Sequence, residues 1–247
     1  MDILSSWIWP ALTALLGFVY TALLVRQYVQ RRKMHQLMWA IGFLFYAVAA
    51  VMEAWSQSVG SWDATVYRFY IVLAACLVGF LGNGEAYLLF KKRIWGDLYL
   101  AFNVIAIGVF LYGTLTVKLD TAALANAGIV IGGTGLGSSG SFPRIMSLFF
   151  NIPGSIILLG GAAWSVIKFW PKKAYRYRAW ANVLIFAGTL LIAAIGSMAR
   201  LGSSGMLYVG EMVASALLLW GFLMASTLEK GAKAVVAEHA GHLEPGA

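Results

Sequence analysis

The sequence has little charge. Of its 247 residues, 61% are hydrophobic and 11% are charged, whereas an average soluble domain is about 45 to 50% apolar and about 25% charged. A soluble chain of this length buries a large core but still needs a polar surface, and 18 basic and 10 acidic side chains are too few to form one. The composition therefore excludes an ordinary soluble domain and predicts an integral membrane protein.

Cysteine and histidine are also scarce. Cys76 is the single cysteine, which excludes an intramolecular disulfide and a cysteine-rich metal site. His35, His239 and His242 all lie outside the predicted spans, which excludes a haem held by two histidines in the bilayer. There is no H-E-x-x-H or G-x-S-x-G motif. We therefore expect no catalytic residues, no metal and no cofactor, and we favour a protein that is not an enzyme.

Long apolar stretches dominate what is present. Seven are long enough to cross a hydrocarbon core of about 30 Å. The predicted fold is an all-α bundle of seven transmembrane helices over residues 1–230, followed by a flexible cytoplasmic tail over 231–247. The predicted spans cover residues 7–29, 37–56, 66–90, 95–117, 144–169, 179–200 and 206–228.

Arginine and lysine are distributed unevenly between the two sets of connections. If the amino terminus is outside, the inner connections hold 14 of the 18 basic residues, and the outer side holds only Arg68, Lys118, Arg144 and Arg200. The positive-inside rule then predicts an external amino terminus and a cytoplasmic carboxyl terminus in the plasma membrane. The same rule accounts for the net charge of +8 without a nucleic-acid partner. The expected partners are the lipid bilayer, a small-molecule ligand, and either a cytoplasmic protein or a second copy of the chain.

A short pattern suggests an internal repeat. "PALTALLG" begins at Pro10 and "PGSIILLG" at Pro153, so spans one to three could be repeated by spans five to seven, with the fourth as a linker; a chance match is the alternative. Both triplets begin outside, which makes the repeat parallel. This layout resembles the seven-helix superfamily of PQ-loop sugar transporters and microbial rhodopsins, and also the membrane input domains of bacterial sensor kinases. The chain departs from each of them: it has no P-Q dipeptide, no lysine in the last span to hold retinal, and no kinase after the last helix.

Ionisable side chains within spans are costly, at about 2.5 to 3.5 kcal/mol on insertion scales, and need a partner, a cavity or an interface. Several converge on the predicted outer half and predict a ligand site that receives an anionic or hydroxylated molecule. Its charged residues are Glu53, Arg68, Arg144, Arg200 and Glu211, and its aromatic walls are Tyr67, Tyr70, Trp55 and Tyr208. The alternative is structural: Glu53 and Arg68 form an ion pair, and the other two arginines reach water at span ends.

A second polar set lies deeper and nearer the predicted inner side. Glu85 stands in "GFLGNGEAYLLF" beside Asn83, and Asn151 stands shortly before Pro153 in "FFNIPGS". Carboxyl groups near both mouths of the bundle predict a proton relay that a carrier could use for alternating access. The alternative is that the asparagines join helices and that the proline only kinks its helix.

Two glycine-serine stretches occur in predicted outer loops. "GLGSSG" at 135–140 matches G-x-G-x-x-G, but no strand or βαβ unit surrounds it, so a dinucleotide site is excluded. "LGSSG" recurs at 201–205. The stretches are either capped turns or an outer rim that helps Arg144 and Arg200 hold an anion. The loop 118–143 itself either lies over the bundle or membrane surface, or is disordered.

Three functions stay open at this point. We favour a polytopic membrane protein that binds, and carries, a small polar or anionic molecule from the outer face. The first alternative is a sensory membrane protein that signals to a cytoplasmic partner, and the second is a membrane anchor subunit of a larger redox complex.

Overall fold

The computed structural model describes residues 7–125, 132–171, 176–200 and 207–241. This part of the chain is helical, and it contains no strand. A short 3-10 helix covers Gly132–Leu136. The α-helices are α1 (Ile8–Arg31), α2 (Met34–Val59), α3 (Ala64–Leu89), α4 (Arg93–Thr116), α5 (Thr121–Leu124), α6 (Phe142–Phe169), α7 (Arg176–Arg200) and α8 (Leu207–Gly241).

Six of these helices are long and apolar enough to cross a membrane: α1, α2, α3, α4, α6 and the segment Leu207–Met224 of α8. Helix α7 contributes a shorter apolar stretch, Ala179–Ile192. Large apolar side chains such as Ile105 and Ile156 point away from the bundle and are 67% exposed, as expected for surfaces that face lipid. The predicted all-α membrane fold is therefore confirmed for the described residues, while the count of seven spans and the orientation stay predictions.

Six long helices form a closed ring. Contacts join α1 to α2, α2 to α3, α3 to α6, α6 to α7, α7 to α8 and α8 to α1, and α4 packs outside this ring against α3 and α6. We call the end at which α1, α3, α6 and α8 begin the predicted outer end, and the opposite end the predicted inner end. Under the suggested repeat α1, α2 and α3 would correspond to α6, α7 and α8, but α4 packs against α3 and α6, which do not correspond. The repeat therefore stays a prediction. The two prolines differ in depth, because Pro10 is in the first turn of α1 and Pro153 lies inside α6.

Glycine brings α3 and α6 into close contact. A Cβ on Gly82 would lie 2.6 Å from the Gly154 Cα, and a Cβ on Gly154 would lie 2.6 Å from the Val78 carbonyl oxygen. Small residues permit such backbone approach at helix crossings in membranes. This crossing holds the two halves of the ring together on the side where α4 packs.

The described parts of the loop after α4 fold back over the predicted outer end. The Trp62 backbone N–H donates to the Leu124 carbonyl over 2.9 Å, and the Asp120 N–H donates to the Gly135 carbonyl over 3.0 Å. Leu124 and Leu136 are buried against Trp62 and Tyr67. The loop therefore covers the bundle at this end, which is one of the two arrangements that its composition predicts.

The carboxyl-terminal helix is longer than its membrane segment. Helix α8 continues past Met224 to Gly241, so residues 231–241 of the predicted flexible tail belong to a helix. Residues 242–247 lie outside the described part of the chain.

Candidate functional site

A cavity of about 410 Å³ opens inside the ring at the predicted inner end. The Gln36 side chain is buried there: its Nε2 donates to Gln27 Oε1 over 3.2 Å, and its Oε1 accepts no hydrogen bond from a described residue. Cationic side chains and a buried acceptor together suit a small polar or anionic molecule. The polar lining comprises Gln27, Arg31, His35, Gln36, Ser165, Lys168 and Asn182.

A smaller pocket of about 60 Å³ continues from this cavity toward the middle of the ring. Its acidic group is Glu85 on α3, which is only 6% exposed. The Glu85 carboxyl packs against Gly161 of α6, where a Cβ would lie 2.8 Å from the Glu85 Cδ. The two spaces share five lining side chains: Trp39, Leu88, Asn182, Ile185 and Phe222.

Three rings close this pocket at mid-bundle. Tyr20 and Phe43 stack with their centroids 3.9 Å apart, and the Phe222 centroid lies 4.9 Å from that of Tyr20. The Tyr20 hydroxyl donates to the Leu218 carbonyl over 3.4 Å, which fixes the ring to α8. We call Tyr20, Phe43 and Phe222 the aromatic layer. It separates the inner cavity from a second set of polar groups.

That second set, the outer polar cluster, lies about 15 Å further along α2, as measured from Phe43 to Glu53 at about 1.5 Å per residue. The Tyr70 hydroxyl donates to Glu53 Oε1 over 2.5 Å, and Glu53 is 4% exposed. The Glu211 carboxyl lies beside that of Glu53. Glu211 Oε2 is buried and accepts no hydrogen bond within the described part.

Further hydrogen bonds surround the two carboxyl groups and complete the outer polar cluster. Gln57 Nε2 donates to the Tyr208 hydroxyl over 2.5 Å. The Ser215 hydroxyl lies 3.2 Å from that of Tyr46, and it donates to the Glu211 carbonyl over 2.8 Å. The structure thus brings together four of the predicted outer site residues: Glu53, Tyr70, Tyr208 and Glu211.

The arginines of the predicted outer site are arranged differently. Arg68 donates to the Thr114 carbonyl, and over 2.9 Å to the Val117 carbonyl, at the end of α4. Arg144 donates to the Gly137 carbonyl over 2.9 Å. No described hydrogen bond or ion pair joins Arg68 to Glu53. Backbone carbonyls take the place of the expected carboxylate because the folded loop and the α4 terminus present free acceptors beside these side chains.

Tyr67 belongs to the same loop contacts and not to an open wall. Its hydroxyl donates to the Gly132 carbonyl over 2.6 Å, and its side chain is fully buried. A Cβ on Gly135 would lie 2.5 Å from the Tyr67 Cζ, so the first glycine of "GLGSSG" serves close packing. Arg200 is the last residue of α7, and its side chain and the "LGSSG" stretch at 201–205 lie outside the described residues.

The predicted asparagine relay is not continuous. Asn83 Nδ2 donates to the Gly96 carbonyl of α4 over 3.1 Å, although Asn83 is close to Glu85 in sequence. Asn151 Nδ2 donates to the Ser147 carbonyl within α6 over 2.9 Å. In the opposite direction, Asn103 Nδ2 on α4 donates to the Gly79 carbonyl of α3 over 3.0 Å. Asn83 and Asn103 therefore join α3 to α4, which is the helix-joining alternative for these side chains.

The residues of the inner cavity were missed as a site by the sequence analysis. Arg31 and Lys168 are counted there only as orientation signals, because any basic residue at a span end satisfies the positive-inside rule. Gln27 and Gln36 lie on either side of the first inner connection, and these two amide side chains are the sequence feature that could have indicated a polar cavity there. The rings of the aromatic layer carry none, since lipid-facing and interior aromatics are alike in sequence.

The apolar helices, the closed ring and the polar groups inside it define a polytopic membrane protein. No protein-family model, curated protein sequence or solved structure matches the chain.

Proposed function

We propose that this protein binds a small polar or anionic molecule inside the ring and carries it across the cytoplasmic membrane. The observation that carries the proposal is the cavity of about 410 Å³ with Arg31 and Lys168 in its lining. Basic side chains that line a partly enclosed space bind anionic groups more strongly than they do in water, because the local dielectric constant is lower.

The arrangement along the ring axis supports carriage in addition to binding. Alternating access needs a site that is open toward one side and closed toward the other. Here the inner cavity is open, the aromatic layer blocks the middle, and the loop with Leu124 and Leu136 covers the predicted outer end. Polar groups continue beyond the layer in the outer polar cluster, so a path through the described part of the ring passes the aromatic layer and then the covering loop. This conformation corresponds to a carrier open to the predicted inner side.

Transport by reconstituted protein tests this proposal. We expect proteoliposomes to show counterflow of at least one solute from a panel of small carboxylates, phosphate esters and amino acids. The double variant Arg31→Ala/Lys168→Ala should lower the rate about tenfold or more, because charge-assisted contacts are worth about 1.5 to 3 kcal/mol each. Arg93→Ala is the matched control, since Arg93 is a basic residue at the same end whose partner is Asp97 at 3.5 Å. A panel without any bound or exchanged solute, or equal loss in the control, contradicts the proposal.

A sensory function is the second candidate, and the length of α8 favours it. Residues 225–241 extend the helix by about 25 Å at about 1.5 Å per residue beyond the apolar segment, and such an extension can pass a movement of the bundle to a partner. Affinity purification from native membranes separates the two functions. A sensor should retain a stoichiometric soluble partner that is lost when residues 225–247 are deleted, whereas a carrier should exchange solute without one.

A further inference from the structure

We propose that the pocket at Glu85 binds the protonated amino group of a small solute, whose remaining part lies in the inner cavity. This inference names the class of molecule for the proposed function and rests on it. The observation behind it is a buried carboxyl group that lines a cavity and has no hydrogen-bond or ion-pair partner among the residues that the structure describes.

Glu85 is buried in the wall of this pocket. Its side chain is more than nine-tenths buried, and none of the described residues forms a hydrogen bond or an ion pair with it. The described lining of the pocket contains no lysine or arginine. A carboxyl group in such a place has lost the hydrogen bonds that water would give it, and no protein group replaces them within the described lining. A ligand that brings a positive charge and N–H donors supplies the missing hydrogen bonds.

The other polar groups of the pocket are already engaged. Trp39 Nε1 donates to the Leu81 carbonyl over 3.0 Å, and Thr189 Oγ1 donates to the Ile185 carbonyl over 2.9 Å. The Tyr20 hydroxyl is held by the Leu218 carbonyl. Asn182 also lines the pocket and has an interaction of its own. Glu85 is therefore the charged acceptor that the described lining offers, and a ligand recognised here must supply donors.

The walls favour a cation over a neutral donor. Tyr20, Trp39, Phe43 and Phe222 line the same space as Glu85. Aromatic faces attract ammonium groups through the ring quadrupole, and the attraction grows when the cation has lost its water. One carboxylate surrounded by aromatic rings thus has the chemistry of an ammonium site.

The size of the pocket suits the head of a small amine. Its volume of about 60 Å³ exceeds the roughly 10 to 15 Å³ that a cavity needs to hold one water molecule. That space accepts an –NH₃⁺ group with the carbon that carries it. The rest of the solute must lie in the adjoining cavity, where Arg31 and Lys168 can receive an anionic group at its other end.

Calorimetric titration of the purified full chain with three matched probes tests the inference. The probes are 4-aminobutyrate, n-butylamine, which lacks the carboxylate, and butyrate, which lacks the amine. We expect Glu85→Gln to weaken binding of the two amines about tenfold to a hundredfold, the range for loss of a hydrogen bond to a charged group, and to leave butyrate unchanged. Asp97→Asn is the control, because it removes a carboxylate from the same end but outside the pocket.

A second pair of variants keeps the test independent of the charge change. Gly161→Ala places a methyl group against the Glu85 carboxyl, whereas a Cβ on the adjacent Gly160 meets nothing within 4 Å. Gly161→Ala should weaken amine binding as Glu85→Gln does, and Gly160→Ala should not.

The outcomes separate this inference from the function on which it rests. Butyrate binding that depends on Arg31 and Lys168, together with amine binding that ignores Glu85 and Gly161, overturns the ammonium site and leaves the proposed carrier intact. Absence of amine binding to the unmodified protein also overturns it. Loss of 4-aminobutyrate and butyrate binding in Arg31→Ala/Lys168→Ala with n-butylamine binding retained, together with selective loss of the two amines in Glu85→Gln, supports both.

Discussion

Tyr70 on α3 donates a hydrogen bond of 2.5 Å to Glu53 on α2, and both side chains are buried. The bond joins two neighbouring helices of the ring. The structural alternative predicted from sequence pairs Glu53 with Arg68, but its partner in the structure is a tyrosine hydroxyl. The bond also places Glu53 beside Glu211 of α8, so that α2, α3 and α8 meet at one point. The outer polar cluster is therefore a contact among three helices.

Removal of the Tyr70 hydroxyl should destabilise the bundle. We expect Tyr70→Phe to lower the free energy of unfolding by about 1 to 3 kcal/mol, because Glu53 would stay buried without its donor. Unfolding in mixed micelles with rising denaturing detergent measures the change. Tyr112→Phe is the control, since Tyr112 is 67% exposed on α4, and equal stability of the two variants would contradict the structural importance of the bond.

Arg68 should stabilise the loop and not take part in ligand binding. Arg68→Ala removes the donors to the Thr114 and Val117 carbonyls, so we expect faster proteolysis and faster hydrogen exchange over residues 117–125. Binding of the solutes found in the counterflow panel should not change. Lys118→Ala, an exposed basic neighbour, should leave the loop protected. A loss of binding in Arg68→Ala with unchanged loop protection would restore the outer ligand site predicted from sequence.

The close crossing of α3 and α6 should not tolerate a side chain. We expect Gly82→Val to lower Tm and to reduce the monodisperse fraction after extraction, because its Cβ would meet the Gly154 backbone at 2.6 Å and overpacking costs about 1 to 3 kcal/mol. Gly108→Val on α4 is the matched control, since a Cβ there meets nothing within 4 Å. Comparable thermal denaturation of both variants would show that the helices separate easily.

The orientation predicted from the basic residues is open to direct labelling. In a Cys76→Ala background, Ser61→Cys should react with a membrane-impermeant maleimide on intact cells, whereas Lys91→Cys should react only after the membrane is opened. Both positions are exposed between helices, while the natural cysteine is buried. The reverse pattern would invert the bundle and place the inner cavity on the external side.

Much of the fold follows from composition and periodicity alone. Apolar runs of membrane length predict helices, since a chain in hydrocarbon must satisfy its backbone hydrogen bonds internally. The observed helices α1 to α4 and α6 agree with the predicted spans within three residues at each end, and α2 differs most. The carboxyl groups Glu53, Glu85 and Glu211 are also recognisable in the sequence, because charge is rare and costly inside a span.

Composition and span length are enough to establish a helical membrane protein with acidic groups in its interior. The contacts of its charged side chains follow from the folded bundle instead: Arg68 binds carbonyls at the end of α4, Glu53 binds Tyr70, and Glu85 faces a pocket. This difference arises because hydrocarbon imposes the same apolar requirement on every span. The pattern along one helix therefore indicates only which residues avoid water. Which residues come into contact depends on how the helices rotate and cross, and packing between distant segments sets that geometry.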